Sequence, residues 1–226
     1  MLDKRLQTVA ALVRPGSRIV DVGTDHGYLP VYLVNEAICP AAIAADLRPG
    51  PLEAARRHVF ATGLAESIAL RLGDGLEPVA PDEVDDIVIA GMGGETIQAV
   101  LSAAPWTAAG EHLLLLQPMT KTEYLRKWLV DNGYTFTQER LAFDKEHLYP
   151  VFAVRGGKQP PLTAAQEYGG VLLDGDPLYG TYLDERIGKL EKAIEGLRRS
   201  VSSGNAVKVK YLTEICRVLK EKRDAI

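Results

Sequence analysis

From Arg18 to about Arg155 the sequence alternates short apolar runs, rich in β-branched residues, with longer stretches of helical periodicity. The runs cover residues 18–22, 42–45, 68–72, 86–90 and 112–116, and the stretches between them cover 29–37, 50–62, 94–103 and 120–132. A continuous apolar run of about five residues suits a strand buried on both faces, and strands separated by helices join in parallel through crossovers. After Gly133 the alternation stops. Residues 134–141 and 149–155 follow one another with no helix between them, so they are expected to pair antiparallel at the sheet edge. The predicted fold class is therefore α/β, a Rossmann-like, seven-stranded, mostly parallel sheet.

Gly156-Gly157-Lys158-Gln159-Pro160-Pro161 breaks both periodicities and sets a boundary between a domain of residues 1–157 and a smaller one of residues 158–226. Beyond it, Leu183, Ile187, Leu190, Ile194, Leu197 and Val201 recur at alternating steps of four and three, the spacing of a coiled-coil stripe. Ser202-Ser203-Gly204-Asn205 interrupts, and Val209, Leu212, Cys216 and Leu219 make a second stripe, which predicts an antiparallel helical hairpin. Residues 186–223 hold eleven Lys or Arg against four Glu, although the whole chain carries a net charge of −4. That block reads either as a contact for a polyanion or as a solvated helix face, and the hairpin as an RNA grip, a packing element or a dimer contact. A monomer or weak homodimer is expected.

A chain of 226 residues, 46% hydrophobic and 25% charged, has enough material for one well-buried domain and a small appendage. No run reaches the roughly 18 uncharged apolar residues of a membrane span. Met1-Leu2-Asp3-Lys4-Arg5 opens a polar segment rather than a secretion signal, so a soluble cytoplasmic protein without a membrane partner is expected. Cys39 and Cys216 stand far apart with no partner at metal-ligand spacing, so neither a disulfide framework nor a metal site is indicated.

In a doubly wound sheet, ligands bind outside the carboxyl ends of the strands. After the first run comes Asp21-Val-Gly23-Thr24-Asp25-His26-Gly27-Tyr28-Leu-Pro, a glycine-containing turn into a helix whose backbone amides meet an electronegative ligand. The dinucleotide fingerprint G-x-G-x-x-G is absent, because Asp21 stands two before Gly23. A carboxylate there repels a diphosphate and suits the cationic amino-acid end of S-adenosylmethionine. Asp46, followed by Leu47, ends the second run about 25 residues past Asp21, where an acid accepts from both ribose hydroxyls. Gly73-Asp74-Gly75 offers a third carboxylate, for an adenine amino group, and Ala90-Gly91-Met92-Gly93-Gly94 reads as a loop almost stripped of side chains. Taken singly, each acid also reads as a helix cap or loop residue.

The first turn motif, Ala45-Asp46 with Gly50-Pro-Leu, Gly73-Asp-Gly-Leu, Ile89-Ala-Gly-Met-Gly-Gly and Leu116-Gln117-Pro118 together resemble the bacterial tRNA (adenine(22)-N1)-methyltransferase family, TrmK. The resemblance spans about residues 2–154, with Gly27 standing where the family more often carries alanine. It implies methyl transfer from S-adenosylmethionine, with S-adenosylhomocysteine as product, to N1 of adenine 22 in tRNA. It also implies a cofactor pocket lined by Asp21, Gly23, Asp46, Asp74 and the segment from Gly91 to Gly94, and a C-terminal coiled-coil domain.

Enzymes that methylate the adenine amino group polarise it with Asn or Asp in a motif after the fourth strand, which Ala90-Gly91-Met92-Gly93-Gly94 lacks. A ring nitrogen is the better target. Asp25 reads as acceptor for the amine proton or as a helix cap, Tyr28 as a platform for a flipped base or as core, and His26 as a cofactor neighbour or a structural ring. Gln117 and Pro118 are expected at the substrate mouth, Lys121 and Arg126 behind it, and Lys4, Arg5, Arg14 and Arg18 in a basic group for RNA, with Arg198 and Arg199 on the hairpin. The alternatives are a nicotinamide-dependent oxidoreductase, a non-catalytic RNA- or partner-binding protein on the same fold, and a small-molecule methyltransferase.

Overall fold

The computed structural model describes residues 2–199 and 205–226. They fall into two compact units, residues 1–161 and 162–226. In the first, seven strands form one sheet: β1 (Ile19–Val22), β2 (Ala42–Asp46), β3 (Ile68–Leu72), β4 (Asp86–Gly93), β5 (Leu113–Thr120), β6 (Tyr134–Asp144) and β7 (His147–Gly156), in the spatial order β3-β2-β1-β4-β5-β7-β6. β1 pairs in parallel with both β2 and β4. The chain thus winds outward from β1 in two directions, and that reversal opens a crevice at the carboxyl ends of the strands. Ile19, Ile87, Val88, Ile89, Leu114, Leu115 and Leu116 are completely buried, as the unbroken apolar runs require.

The crossover segments are α2 (Tyr28–Asn35), α3 (Pro49–Ala61), α4 (Gly94–Ala103) and α5 (Thr122–Asp131). Pro49 opens α3, where its missing N–H costs nothing. The last two strands pair antiparallel at the sheet edge as expected, in an order that the sequence leaves open, while the end of β4 differs from expectation. β7 inserts between β5 and β6 and runs antiparallel to both, pairing Val154 with Leu114 on one side and Phe136 on the other. The glycine-rich stretch after residue 90 is not a loop: β4 continues to Gly93 beside an equally long β5, with bulges around Met92 that bend its end toward the crevice. A further helix, α1 (Lys4–Ala10), precedes β1 and is capped by Asp3, whose Oδ1 accepts from the Leu6 amide at 2.7 Å.

The second unit holds α6 (Ala164–Gly169), closed by a capping box between Thr163 and Gln166, then α7 (Tyr179–Arg199) and α8 (Asn205–Asp224). Leu183, Ile187, Leu190 and Ile194 of α7 and Leu212, Cys216 and Leu219 of α8 are buried along the expected stripes. The helices are antiparallel: Arg223 near the end of α8 bonds Asp184 near the start of α7 at 2.9 Å, and Asn205 at the start of α8 reaches the Leu197 carbonyl at 3.1 Å. Val201 and the break at Ser202, Ser203 and Gly204 lie outside the described residues. Among the described residues, no helix is long and apolar enough to cross a membrane.

Candidate active site

The carboxyl ends of β1, β2 and β4, with the loop after β3, open on one cleft of about 620 Å³. That is the size of sites that hold a nucleoside cofactor, roughly 300–1,000 Å³. Asp21 lies in β1 and is 6% exposed. Burial pushes its carboxyl up to about 6; the Thr24 hydroxyl opposes that rise, the nearby Asp46 adds to it, and Arg5 opposes it. A buried carboxylate that ionises only above about pH 6 because no full counter-ion answers it is prepared to receive a cation.

Asp46, at the end of β2, is also buried. Its Oδ1 accepts from the Arg48 amide at 2.9 Å and its Oδ2 from the Asp25 amide at 3.3 Å. Two backbone bonds leave further lone pairs on the carboxylate for a diol. The same bonds fix the turn after β1, where Asp25 takes a left-handed φ of 53° that a residue with a Cβ rarely adopts. Leu47, Gly73, Asp74 and Gly75 complete that side of the cleft.

The opposite wall is the bulged end of β4. Gly91 has a φ of 78°, and a Cβ there would lie 3.0 Å from Arg5 Nη1. Gly23, with a φ of 73°, faces Met92, whose Cε would sit 2.3 Å from any added Cβ. Both glycines are favoured by their left-handed backbone conformation, and an added Cβ would in addition push the tips of Arg5 and Met92 out of place. At the mouth, the half-exposed ring of Tyr28 stacks on His26, with centroids 5.4 Å apart, and meets His58 edge-on at 5.2 Å. His58 Nδ1 lies 3.1 Å from the His26 carbonyl. Since a carbonyl only accepts, that nitrogen carries the proton.

Of the residues singled out in the sequence, the cleft brings together Arg5, Asp21, Gly23, Thr24, Asp25, Tyr28, Asp46, Leu47, Gly73, Asp74, Gly75, Ala90, Gly91 and Met92. His26, Gly27, Gly93 and Gly94 do not line it. Gly27 packs on Ala55 of α3, Gly93 faces the Thr120 hydroxyl, and a Cβ on Gly94 would fall 2.6 Å from the Lys121 carbonyl. Their smallness serves packing behind the site.

The residues expected at the substrate mouth divide. Gln117 and Pro118 are buried, and Gln117 Oε1 accepts from Arg5 Nη1 at 2.8 Å and from the Gly91 amide at 3.1 Å. Lys121 is exposed ahead of α5. Arg126 is fully buried against Glu139 at 2.6 Å and over the Phe152 ring at 5.1 Å, so it reaches no phosphate. Nor do Lys4, Arg5, Arg14 and Arg18 form one basic group: Arg14 Nε bonds Asp86 at 2.6 Å and Arg18 pairs with Asp85 at 3.0 Å, at the amino-terminal ends of β1 and β4, away from the cleft. Lys4 is exposed on α1. Arg198 and Arg199 are exposed in the last turn of α7, Arg199 paired with Glu195. Sequence reasoning passed over Arg48 and Thr96, which line the cleft, and His58, which supports Tyr28. Arg48 and Thr96 sit two residues past flagged motifs; His58 carries no motif signal.

A sheet wound outward from β1, an antiparallel β7 inserted beside β5, and a carboxylate-lined cleft at the switch point define a Rossmann-like methyltransferase. Residues 2–152 match the family described as a methyltransferase domain. Over 182 residues the chain is 36% identical to the tRNA (adenine(22)-N(1))-methyltransferase of Bacillus subtilis (strain 168), covering 80% of this chain and 74% of that protein. The crystal structure of the B. subtilis M1A22 tRNA methyltransferase TrmK superposes with a TM-score of 0.88 over 98% of each chain at 31% identity. That of M. capricolum TrmK in complex with S-adenosyl-homocysteine does so with a TM-score of 0.81, covering 100% of this chain and 99% of that one at 28% identity. The chain belongs to this tRNA methyltransferase family.

Proposed function

We propose that the protein transfers a methyl group from S-adenosylmethionine to N1 of an adenine in tRNA, adenine 22 as in the named relatives. The observation that carries this reading is the pairing of a buried Asp21, its carboxyl raised to about 6 and so an incompletely answered carboxylate at neutral pH, with the buried Asp46 in one cleft of nucleoside size. A dinucleotide's diphosphate at that turn would face Asp21 directly, which disfavours the nicotinamide reading.

When bound, S-adenosylmethionine supplies an electrophilic methyl on a sulfonium sulfur. Asp21 meets the α-ammonium, Asp46 accepts from the ribose hydroxyls, and Asp74, between two glycines, accepts from the adenine amine. Tyr28, braced by His26 and His58, stacks on the target base. Ala90 and Gly91 present no side-chain donor or acceptor to that base, and Met92 presents only a thioether, so no side chain there polarises its exocyclic amine. Adenine N1 carries a lone pair and needs no base before it attacks; positioning supplies most of the catalysis. Asp25, whose side chain is 63% exposed at the mouth, is placed to accept a hydrogen bond from the exocyclic amine and to offset the positive charge that methylation leaves on the ring.

In this reading residues 1–157 perform the transfer and residues 158–226 grip the RNA, with Lys121, Arg198 and Arg199 on phosphates. The protein works in the cytoplasm as a monomer or weak homodimer. Incubation with methyl-labelled S-adenosylmethionine and unmodified tRNA, followed by nucleoside analysis, should place label in 1-methyladenosine. Label in another nucleoside, or in none, overturns the proposal.

A further inference from the structure

We propose that Arg5 holds the α-carboxylate of the cofactor's methionine end, so that Arg5 and Asp21 grip the two charges of one zwitterion. The inference rests on, and deepens, the reading of the cleft as the S-adenosylmethionine site. A methionine end that brings its ammonium to Asp21 also brings a carboxylate into a cleft lined by Asp3, Asp21, Asp25, Asp46 and Asp74. Among so many acids, a cation is the partner that best offsets that carboxylate. Among the described residues lining the cleft, the permanent cations are Arg5 and Arg48. The Arg48 side chain is 72% exposed and lies 3.9 Å from Asp46, on the side assigned to the ribose. Arg5 is the one placed at the other end, beside Gly91.

The guanidinium of Arg5 is built into its position. Its side chain is 19% exposed, Nη2 lies 3.2 Å from Asp3 Oδ2, and Nη1 donates to Gln117 Oε1 at 2.8 Å. Gln117 is wholly buried and its same oxygen accepts from the Gly91 amide, so the arginine is tied at once to the cap of α1, to β5 and to the bulged end of β4. A guanidinium carries five N–H donors in a rigid fork, and these anchors use two of them. What remains matches a carboxylate, which takes parallel bonds from such a fork. A surface phosphate on RNA would ask for a mobile, solvated side chain, which Arg5 is not.

Titration calorimetry on wild type, Arg5→Met and Arg5→Lys with three ligands tests this. S-Adenosylhomocysteine has both charges, its decarboxylated analogue keeps the amine alone, and 5′-methylthioadenosine has neither. Arg5→Met should weaken S-adenosylhomocysteine by roughly 10- to 100-fold, the loss of a charge-assisted pair. It should leave 5′-methylthioadenosine unchanged and the decarboxylated analogue unchanged or tighter, since a cation beside its amine is gone. Arg5→Lys should recover part of the loss. Equal weakening of all three ligands, or no weakening of S-adenosylhomocysteine, overturns the assignment of Arg5. Failure of the wild type to bind any of them overturns instead the reading of the cleft on which it rests.

Discussion

Among the described residues, the two units differ in where they put charge: exposed ion pairs occur in both, but fully buried charges occur in the cleft-bearing unit alone. In the cleft-bearing unit Asp21, Asp46, Asp86 and Glu139 are all within 6% of full burial. Most are closed by specific donors: Asp86 by the Arg14 amide and guanidinium and by Ser17, Glu139 by Arg126, Asp46 by two backbone amides. In the helical hairpin, Arg217 with Glu214 and Glu221, Lys220 with Glu191, and Arg223 with Asp184 are pairs whose members are all at least 40% exposed. A buried charge is tolerated only where something answers it, whereas exposed pairs exchange one solvation for another. Asp21 stands apart, because burial outweighs the help it receives from Thr24 and Arg5. In that company an incompletely answered carboxylate marks the place where a ligand completes the structure.

The contrast is broken most severely at Arg126. Arg126→Met removes the partner of a wholly buried Glu139 and should lower unfolding free energy by about 3–5 kcal/mol. Urea denaturation measures this, and adding Glu139→Gln should restore part of the loss. A cost below about 1 kcal/mol would mean that water reaches the pair and that the burial argument is wrong.

Asp21 gives a smaller effect of opposite sign. Its carboxyl has an ordinary value of 3.8 and stands at about 6 in the fold, so as pH rises the unfolded chain loses this proton first. The folded state therefore loses stability between about pH 4 and pH 6 and does not regain it above. Asp21→Asn removes the penalty. It should stabilise the ligand-free protein at pH 7 by on the order of 2–3 kcal/mol and leave it unchanged at pH 3. The same variant should bind S-adenosylhomocysteine at least 10-fold more weakly at pH 7. A variant no more stable than wild type at pH 7 would show that Asp21 is already satisfied.

Much of this architecture was legible because central strands are buried on both faces and therefore spell continuous apolar runs, as Ile87, Val88 and Ile89 do. The positions of Asp21, Asp46 and Asp74 followed from topology alone, since strand ends in such a sheet converge. The insertion of β7 between β5 and β6 was not legible, because alternation along a strand does not name its neighbours. Nor was α1 or α6, of 7 and 6 residues, each shorter than the window in which helical periodicity can be distinguished. Glycine content made the end of β4 read as a loop, when its glycines instead admit a bulge, Met92 and Arg5. Arg126 was misplaced because a basic residue on an amphipathic helix looks the same in sequence whether it meets solvent or turns to a buried acid such as Glu139.

The smallest effect is expected where the charges are densest. Arg217 faces Glu214 one turn before it and Glu221 one turn after, and these contacts raise its already high pKa further. Both acids and the arginine are more than half exposed, so each contact gives up water for what it gains, and salt screens the remainder. Arg217→Gln keeps the stem that covers the helix surface and removes only the charge. Its thermal midpoint should stay within about 2 °C of wild type at low salt, and the difference should vanish at about 0.5 M salt. A fall comparable to that of Arg126→Met, or one that persists in salt, would mean that the hairpin depends on its surface charges for structure. The division between a unit that answers buried charges and one that merely solvates exposed ones would then fail.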